Sequence, residues 1–151
     1  MDIRVDNLTR SEIIGFLEDH LQDMIAVTPP GSVHALDLEG LQKPEITFWS
    51  VWDRASLVGC GALKELDPRH GEIKSMRTAA SRRGNGVASG LLAFILAEAR
   101  RRRYKRVSLE TGGSDAFTPA RNLYTKFGFT SCGPFADYGP DAHSVFMTIE
   151  L

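Results

Sequence analysis

The chain has 151 residues, 42% of them hydrophobic and 25% charged, and its 18 Lys and Arg against 19 Asp and Glu leave a net charge of −1. That length fits one domain, residues 1–151, with a core of ordinary size. Balanced charge excludes a general attraction to nucleic acid or to an acidic membrane surface. No apolar run approaches 18 residues, and the opening Met1-Asp2-Ile3-Arg4 lacks the apolar segment of a secretion signal, so a cytoplasmic protein with no membrane partner is expected. Cys60 and Cys132 form no disulfide framework, and neither they nor the four histidines have the spacing of a metal site, so no metal is expected.

Taken in order, Ile3-Arg4-Val5 reads as a first strand. Apolar Ile13, Ile14, Leu17 and Leu21 recur at helical spacing, which predicts a helix capped by Thr9 or Ser11 and running to about Leu21. Thr28-Pro29-Pro30-Gly31 breaks the chain, and a short helix is expected from Ser32 with Val33, Leu36 and Leu41 on one face. Ile46–Trp52 and Ser56–Leu63 alternate as two strands of a hairpin, with Trp49 and Trp52 on opposite faces as packing residues. A turn at Asp67–Gly71 leads to a strand over Glu72–Thr78. From Gly84 to about Arg103, Val87, Leu91, Leu92, Ile95, Leu96 and Ala99 mark the longest helix, with Glu98 and Arg102 paired on its outer face. Val107–Thr111 is a strand, Pro119 starts a helix that Gly128 ends, and Phe129–Phe135 and Ser144–Leu151 are the last strands. The order β-α-α-β-β-β-α-β-α-β-β is that of an α/β protein with a mixed sheet.

The most informative segment joins the strand ending at Thr78 to the long helix. Arg82-Arg83-Gly84-Asn85-Gly86-Val87-Ala88 puts two arginines and two glycines at a helix start. Glycines let the main chain approach an anion closely. The unpaired N–H groups of the first turn favour phosphate, and arginines add charge-assisted hydrogen bonds. The segment therefore reads as a diphosphate site, against the plainer alternative of a glycine-rich helix start with solvated arginines.

Here the sequence resembles the GNAT superfamily of N-acetyltransferases, whose fingerprint of Arg or Gln, two residues, Gly, one residue, Gly or Ala fits Arg83–Ala88. The resemblance implies a mostly antiparallel mixed sheet flanked by helices, and an acetyl-CoA co-substrate. It places the CoA diphosphate on the amides of Arg82 to Ala88 and the pantetheine arm along the main chain of Met76, Arg77 and Thr78, where a bulge opens a slot between two strands. It continues in Ala120-Arg121-Asn122-Leu123-Tyr124 and Gly128-Phe129. Phe117 stands where the family often has a CoA-binding Asn; Asn122 lies on the same helix without being the matched position. A closer likeness, through His34–Asp37, Gly61–Lys64, Ile73–Thr78 and Ser144–Met147, is to a bacterial subgroup of small GNAT acetyltransferases that includes proteins linked to indole-3-acetic acid metabolism.

Acetylating an alkyl amine poses two proton problems. With a pKa near 10.4, roughly one molecule in a thousand is neutral at pH 7, so a base helps; the leaving thiolate needs an acid. By resemblance Glu72 holds the place of the family's base and Tyr124 that of the hydroxyl near the CoA sulfur. Glu110, at a strand end facing the expected crevice, is a second candidate base. His34 lies where the family builds its acceptor pocket, and Tyr138 is a candidate for the same wall. A small-molecule amine acceptor is expected, with a homodimer left open. Two rivals stand beside this reading: an acyl-CoA-binding sensor without turnover, and a dinucleotide-binding fold suggested by Gly84-x-Gly86-x-x-Ser89 and Glu110.

Overall fold

The computed structural model describes residues 1–151. The elements follow the expected order: β1 Asp2–Val5, α1 Ser11–Val27, α2 Leu38–Leu41, β2 Ile46–Asp53, β3 Ser56–Asp67, β4 His70–Thr78, α3 Val87–Arg101, β5 Arg106–Gly112, α4 Thr118–Lys126, β6 Thr130–Cys132 and β7 Ser144–Glu150. They build one seven-stranded sheet in the order β1-β2-β3-β4-β5-β7-β6, antiparallel throughout except for the β4–β5 pair. No helix is long and apolar enough to cross a membrane.

Strand alternation divides the apolar residues between two faces. On one, Leu91, Leu92, Ile95, Leu96 and Ala99 of α3 pack with Trp49, Val51, Ile73 and Leu109 in the larger core cluster, which also takes in Tyr124 of α4. On the other, Leu8, Ile13 and Leu17 meet Phe48, Cys60 and Ala62. Trp49 and Trp52 do point to opposite sides. Trp49 meets Phe94 of α3 edge-on, while Trp52 donates its indole N–H to Ser50 Oγ at 2.9 Å beneath Arg4 and Arg10.

Two glycines of β3 set how near α3 comes to the sheet. A Cβ on Gly59 would lie 2.7 Å from Val87 Cγ1, and one on Gly61 3.0 Å from Leu91 Cδ2. Their bare backbone lets the first turns of α3 settle onto the strand, and that contact fixes where the helix N-terminus points.

Several boundaries differ from the sequence expectation. α1 continues past Leu21 to Val27, and neither Thr9 nor Ser11 caps it. Its apolar stripe lapses at exposed Ile25 and Val27, but the backbone stays helical until the Pro29-Pro30 pair intervenes. The helix expected from Ser32 is instead a 3₁₀ turn over Pro30–Ser32, an extended stretch, and the single turn α2. Asp37 caps α2, accepting from the Gly40 N–H at 2.9 Å. α3 begins at Val87 rather than Gly84, because Gly84 and Gly86 both take φ +82°. The strand expected over Phe129–Phe135 shrinks to β6, since Gly133-Pro134 cannot extend the ladder.

Candidate active site

The cleft begins where the sheet forks. β4 and β5 pair in parallel only from His70 to Ile73 and from Arg106 to Leu109; beyond these residues the strands separate. The cause lies on the opposite edge of β4. Cys60 faces Arg77 and Ala62 faces Lys74, so an extra residue of β4 bulges there, with Ser75 at φ +56°. A bulge bends its strand and sharpens the twist, which swings Met76, Arg77 and Thr78 away from β5. The result is a cleft of about 980 Å³ along the fork.

At one end lies the loop before α3. Gly86 is the N-cap of α3 and no side chain caps the helix. The first main-chain bond of the helix is from the Gly90 N–H to the Gly86 carbonyl at 3.0 Å, so the amides of Gly86, Val87, Ala88 and Ser89 have no main-chain acceptor. A Cβ on Gly84 or Gly86 would touch no protein atom. Positive φ and open space together make a concave, electropositive seat for an anion. Arg83 stands exposed beside it, while Arg82 is held in an ion pair with Asp53. Arg77 turns across the slot to α1, bonding Asp23 at 2.8 Å with its guanidinium over Phe16. Burial, with the Arg77 charge close by, pushes the imidazole of His20 down to about 4.

The other end is built of side chains from distant parts of the chain. Glu72 and Lys74 are two apart on β4, hence on one face, and both are buried. Lys74 Nζ donates to Glu72 Oε2 at 3.1 Å and to the Tyr138 hydroxyl at 2.9 Å, and that hydroxyl donates to the same Oε2 at 2.6 Å. Tyr138 comes from the long loop between β6 and β7, whose Asp141 holds Ser32 Oγ at 2.8 Å and His34 Nε2 at 3.2 Å. His34 meets the Tyr138 ring edge-on, with centroids 5.2 Å apart. These contacts tie the segment after α1 to the β6–β7 loop and wall in the end of the cleft.

Glu110 is the first residue of β5 beyond the fork, half-buried and facing this chamber. Burial raises its carboxyl above the usual carboxylate range, with the neighbouring Ser144 hydroxyl, then His34 and Lys74, pulling the other way and Asp141 adding to the rise. Tyr124 of α4 is buried against Phe129 and reaches the cleft from the opposite helix layer. Burial, then the nearby Glu110, pushes its phenol well above the ordinary value, so the group keeps its proton.

Of the residues singled out in the sequence, Glu72, Met76, Arg77, Thr78, Arg82, Arg83, Gly84, Gly86, Val87 and Ala88 line this one cleft, together with Glu110, Tyr124, His34 and Tyr138. Asn85 and Asn122 are exposed and lie outside the lining. Sequence reasoning did not single out Lys74, Asp141 or His20. A signal for Lys74 existed: two opposite charges at i and i+2 on an interior strand must pair to be buried. Asp141 carried none, because its partners lie 107 and 109 positions away. The glycine pair does not belong to a dinucleotide fold, since the strand before it runs antiparallel to β3.

Known proteins resemble this chain in sequence and in fold. Residues 13–129 match the model of the Acetyltransferase (GNAT) family. The chain is 56% identical over its whole length, and the whole length of the relative, to an uncharacterized N-acetyltransferase of Bacillus subtilis. It is 39% identical to the IAA acetyltransferase of Azospirillum brasilense, over 90% of this chain and 86% of that one. Its fold superposes on a GNAT family acetyltransferase from Elizabethkingia anophelis, solved with acetyl-CoA bound, with a TM-score of 0.69 at 19% identity, covering 99% and 97% of the two chains. The chain belongs to the GNAT acetyltransferase family and is an acyl-CoA-dependent N-acetyltransferase.

Proposed function

We propose that the protein transfers an acetyl group from acetyl-CoA to the amine of a small molecule by direct attack, with both substrates bound together. The observation that carries this reading is the continuity of one cleft. It runs from the unpaired amides at the α3 N-terminus, along the unpaired edge of β4, to a carboxylate and a phenol at the fork. The amides of residues 86–89 and the Arg83 side chain would hold the diphosphate, and Met76, Arg77 and Thr78 would carry the arm on free strand-edge groups. When bound, acetyl-CoA supplies an acyl thioester.

The chain's own groups then divide the work. The main-chain N–H groups at the bulge polarise the acyl carbonyl. Glu110 receives the proton that the attacking amine gives up. It suits that role because its carboxyl is desolvated and no ion pair engages it. Tyr124, kept protonated by burial, donates to the departing thiolate. Glu72 acts differently. With one oxygen committed to both Lys74 and Tyr138, it holds the chamber wall in place. The walled end suits a small acceptor, and the name of the Azospirillum relative supports the same class. The test is acetyl-CoA turnover against a broad panel of amines, read by free thiol. The reading expects turnover with a subset of small amines, and acetyl-CoA binding without turnover of any amine would overturn it.

A further inference from the structure

The charges lining the cleft come in pairs, with two exceptions. Glu72 is matched by Lys74 at 3.1 Å, Asp23 by Arg77 at 2.8 Å, and Arg82 by Asp53. His34 is matched by Asp141 at 3.2 Å. Among the charged residues of the lining, only Arg83 and Glu110 have no partner within ion-pair distance. Arg83 sits in the anion seat. Glu110 sits at the fork, facing the chamber closed by Tyr138 and His34. The rest of the wall, from the end of α1 and the segment after it, is mostly apolar, with Met24, Ala26, Val27, Val33 and Ala35, and adds the hydroxyls of Thr28 and Ser32 but no further charge.

With the CoA diphosphate at Arg83 and the α3 amides, the acceptor that satisfies the rest of the cleft brings one cationic group to Glu110 and no other charge into the chamber. A second ammonium would meet Lys74 or the apolar wall; a carboxylate would meet Glu110 itself or a Lys74 whose charge Glu72 already balances. Bringing a charge to a desolvated wall without a partner is costly. We propose, resting on the acetyltransfer reading above, that the natural acceptor is a monoamine on an uncharged, largely apolar frame, whose ammonium Glu110 draws in. Amino acids and polyamines are poor acceptors on this assignment, and Glu110 serves specificity as well as proton transfer.

A matched series isolates the point: hexylamine, 1,6-diaminohexane and 6-aminohexanoate share a six-carbon chain and differ only in their far end. With acetyl-CoA and thiol release as the readout, kcat/KM per amino group should be at least about 10-fold higher for hexylamine than for either charged analogue. Parity, or a preference for a charged end, overturns the proposal while leaving the acetyltransferase reading intact; acetyl-CoA binding with no turnover of any amine overturns both. Calorimetry gives a second readout without turnover. Hexylamine should bind the CoA complex of the parent, and Glu110→Gln, which keeps the shape, should weaken that binding at least about 10-fold. The same variant should narrow the gap between hexylamine and 6-aminohexanoate. Unchanged binding and an unchanged gap would remove Glu110 from the assignment.

Discussion

At the diphosphate end the cleft is made of main chain: the amides of residues 86–89 and the free edge of β4, shaped by two positive-φ glycines and a bulge. At the acceptor end it is made of side chains from three separate segments, joined by Glu72–Lys74–Tyr138 and Ser32–His34–Asp141. The first arrangement asks only for a backbone path, which under the proposed function suits the part that every acyl-CoA shares. The second depends on which side chains meet, so the proposed function assigns acceptor choice to it. Substitutions at the acceptor end should therefore change catalysis and stability, and those at the other end should change CoA affinity.

The largest expected effect is on Glu110→Gln. Removing the proposed proton acceptor should lower kcat by roughly 10²–10⁴ at pH 7, with CoA affinity held within a few-fold by calorimetry. In the parent, Ser144, His34 and Lys74 favour the ionised carboxyl and Asp141 opposes it, and burial sets the net direction upward. The base works ionised, so the acid limb of kcat/KM should have its midpoint above the ordinary Glu value of about 4.3; Gln should erase that limb. Stability moves the opposite way. A raised folded pKa means the folded state favours the protonated carboxyl, so the cost of its charge is absent below the unfolded pKa and fully present above the folded one. The Gln variant should thus be at least as stable as the parent at pH 7, and a parent-like acid limb in the variant would contradict the role given to Glu110.

Glu72→Gln should act chiefly on stability. It leaves the buried Lys74 ammonium without its counter-charge, and breaking one side of a buried pair costs about 3–5 kcal/mol. Denaturant unfolding of the single variant, and of Glu72→Gln with Lys74→Met, checks this: the double variant should recover a large part of the loss. A single variant as stable as the parent, with kcat down as far as in Glu110→Gln, would exchange the roles of the two carboxylates.

The contrast between the ends also accounts for what the sequence disclosed. The α3 start is legible because all its information lies in seven consecutive residues, Arg82–Ala88. α3 is legible for the same local reason, through the spacing of Leu91, Leu92, Ile95 and Leu96, and so is the order of elements along the chain, whereas the order of strands in the sheet is not local. The acceptor chamber was legible only in single residues. His34 and Tyr138 could be placed by region, but Asp141, which fastens both walls, has no local pattern to betray it. The segment over 32–41 misled because its apolar residues sit at helical spacing, while the Asp37 cap confines the helix to one turn. Tertiary contacts settle such stretches, and periodicity does not contain them.

At the diphosphate end, Gly86→Glu should weaken CoA binding roughly 100-fold, equivalent to about 2.7 kcal/mol. A Cβ at this position meets no protein atom, so the loss comes from a strained φ and from a negative charge facing phosphate. Isothermal titration with CoA measures it, and an unchanged Kd would show that the nucleotide binds elsewhere.

The smallest expected effect separates backbone strain as such from its position. Gly128 has φ +102° and closes α4 in a Schellman arrangement, with the Phe129 N–H to the Tyr124 carbonyl and the Gly128 N–H to the Thr125 carbonyl, both at 3.0 Å. A Cβ there would come no closer than 3.4 Å to Ile149 Cδ1, an ordinary contact. Gly128→Ala should therefore cost about 1–2 kcal/mol from conformation alone, visible as a lowered Tm, with CoA affinity unchanged. Gly86→Ala carries the same kind of strain at φ +82° and should lose both stability and CoA affinity, because there the strained backbone is itself the binding surface. If the two alanine variants lost CoA affinity equally, α4 and its Tyr124 would have to share in holding the nucleotide, and the division between a main-chain end and a side-chain end would no longer hold.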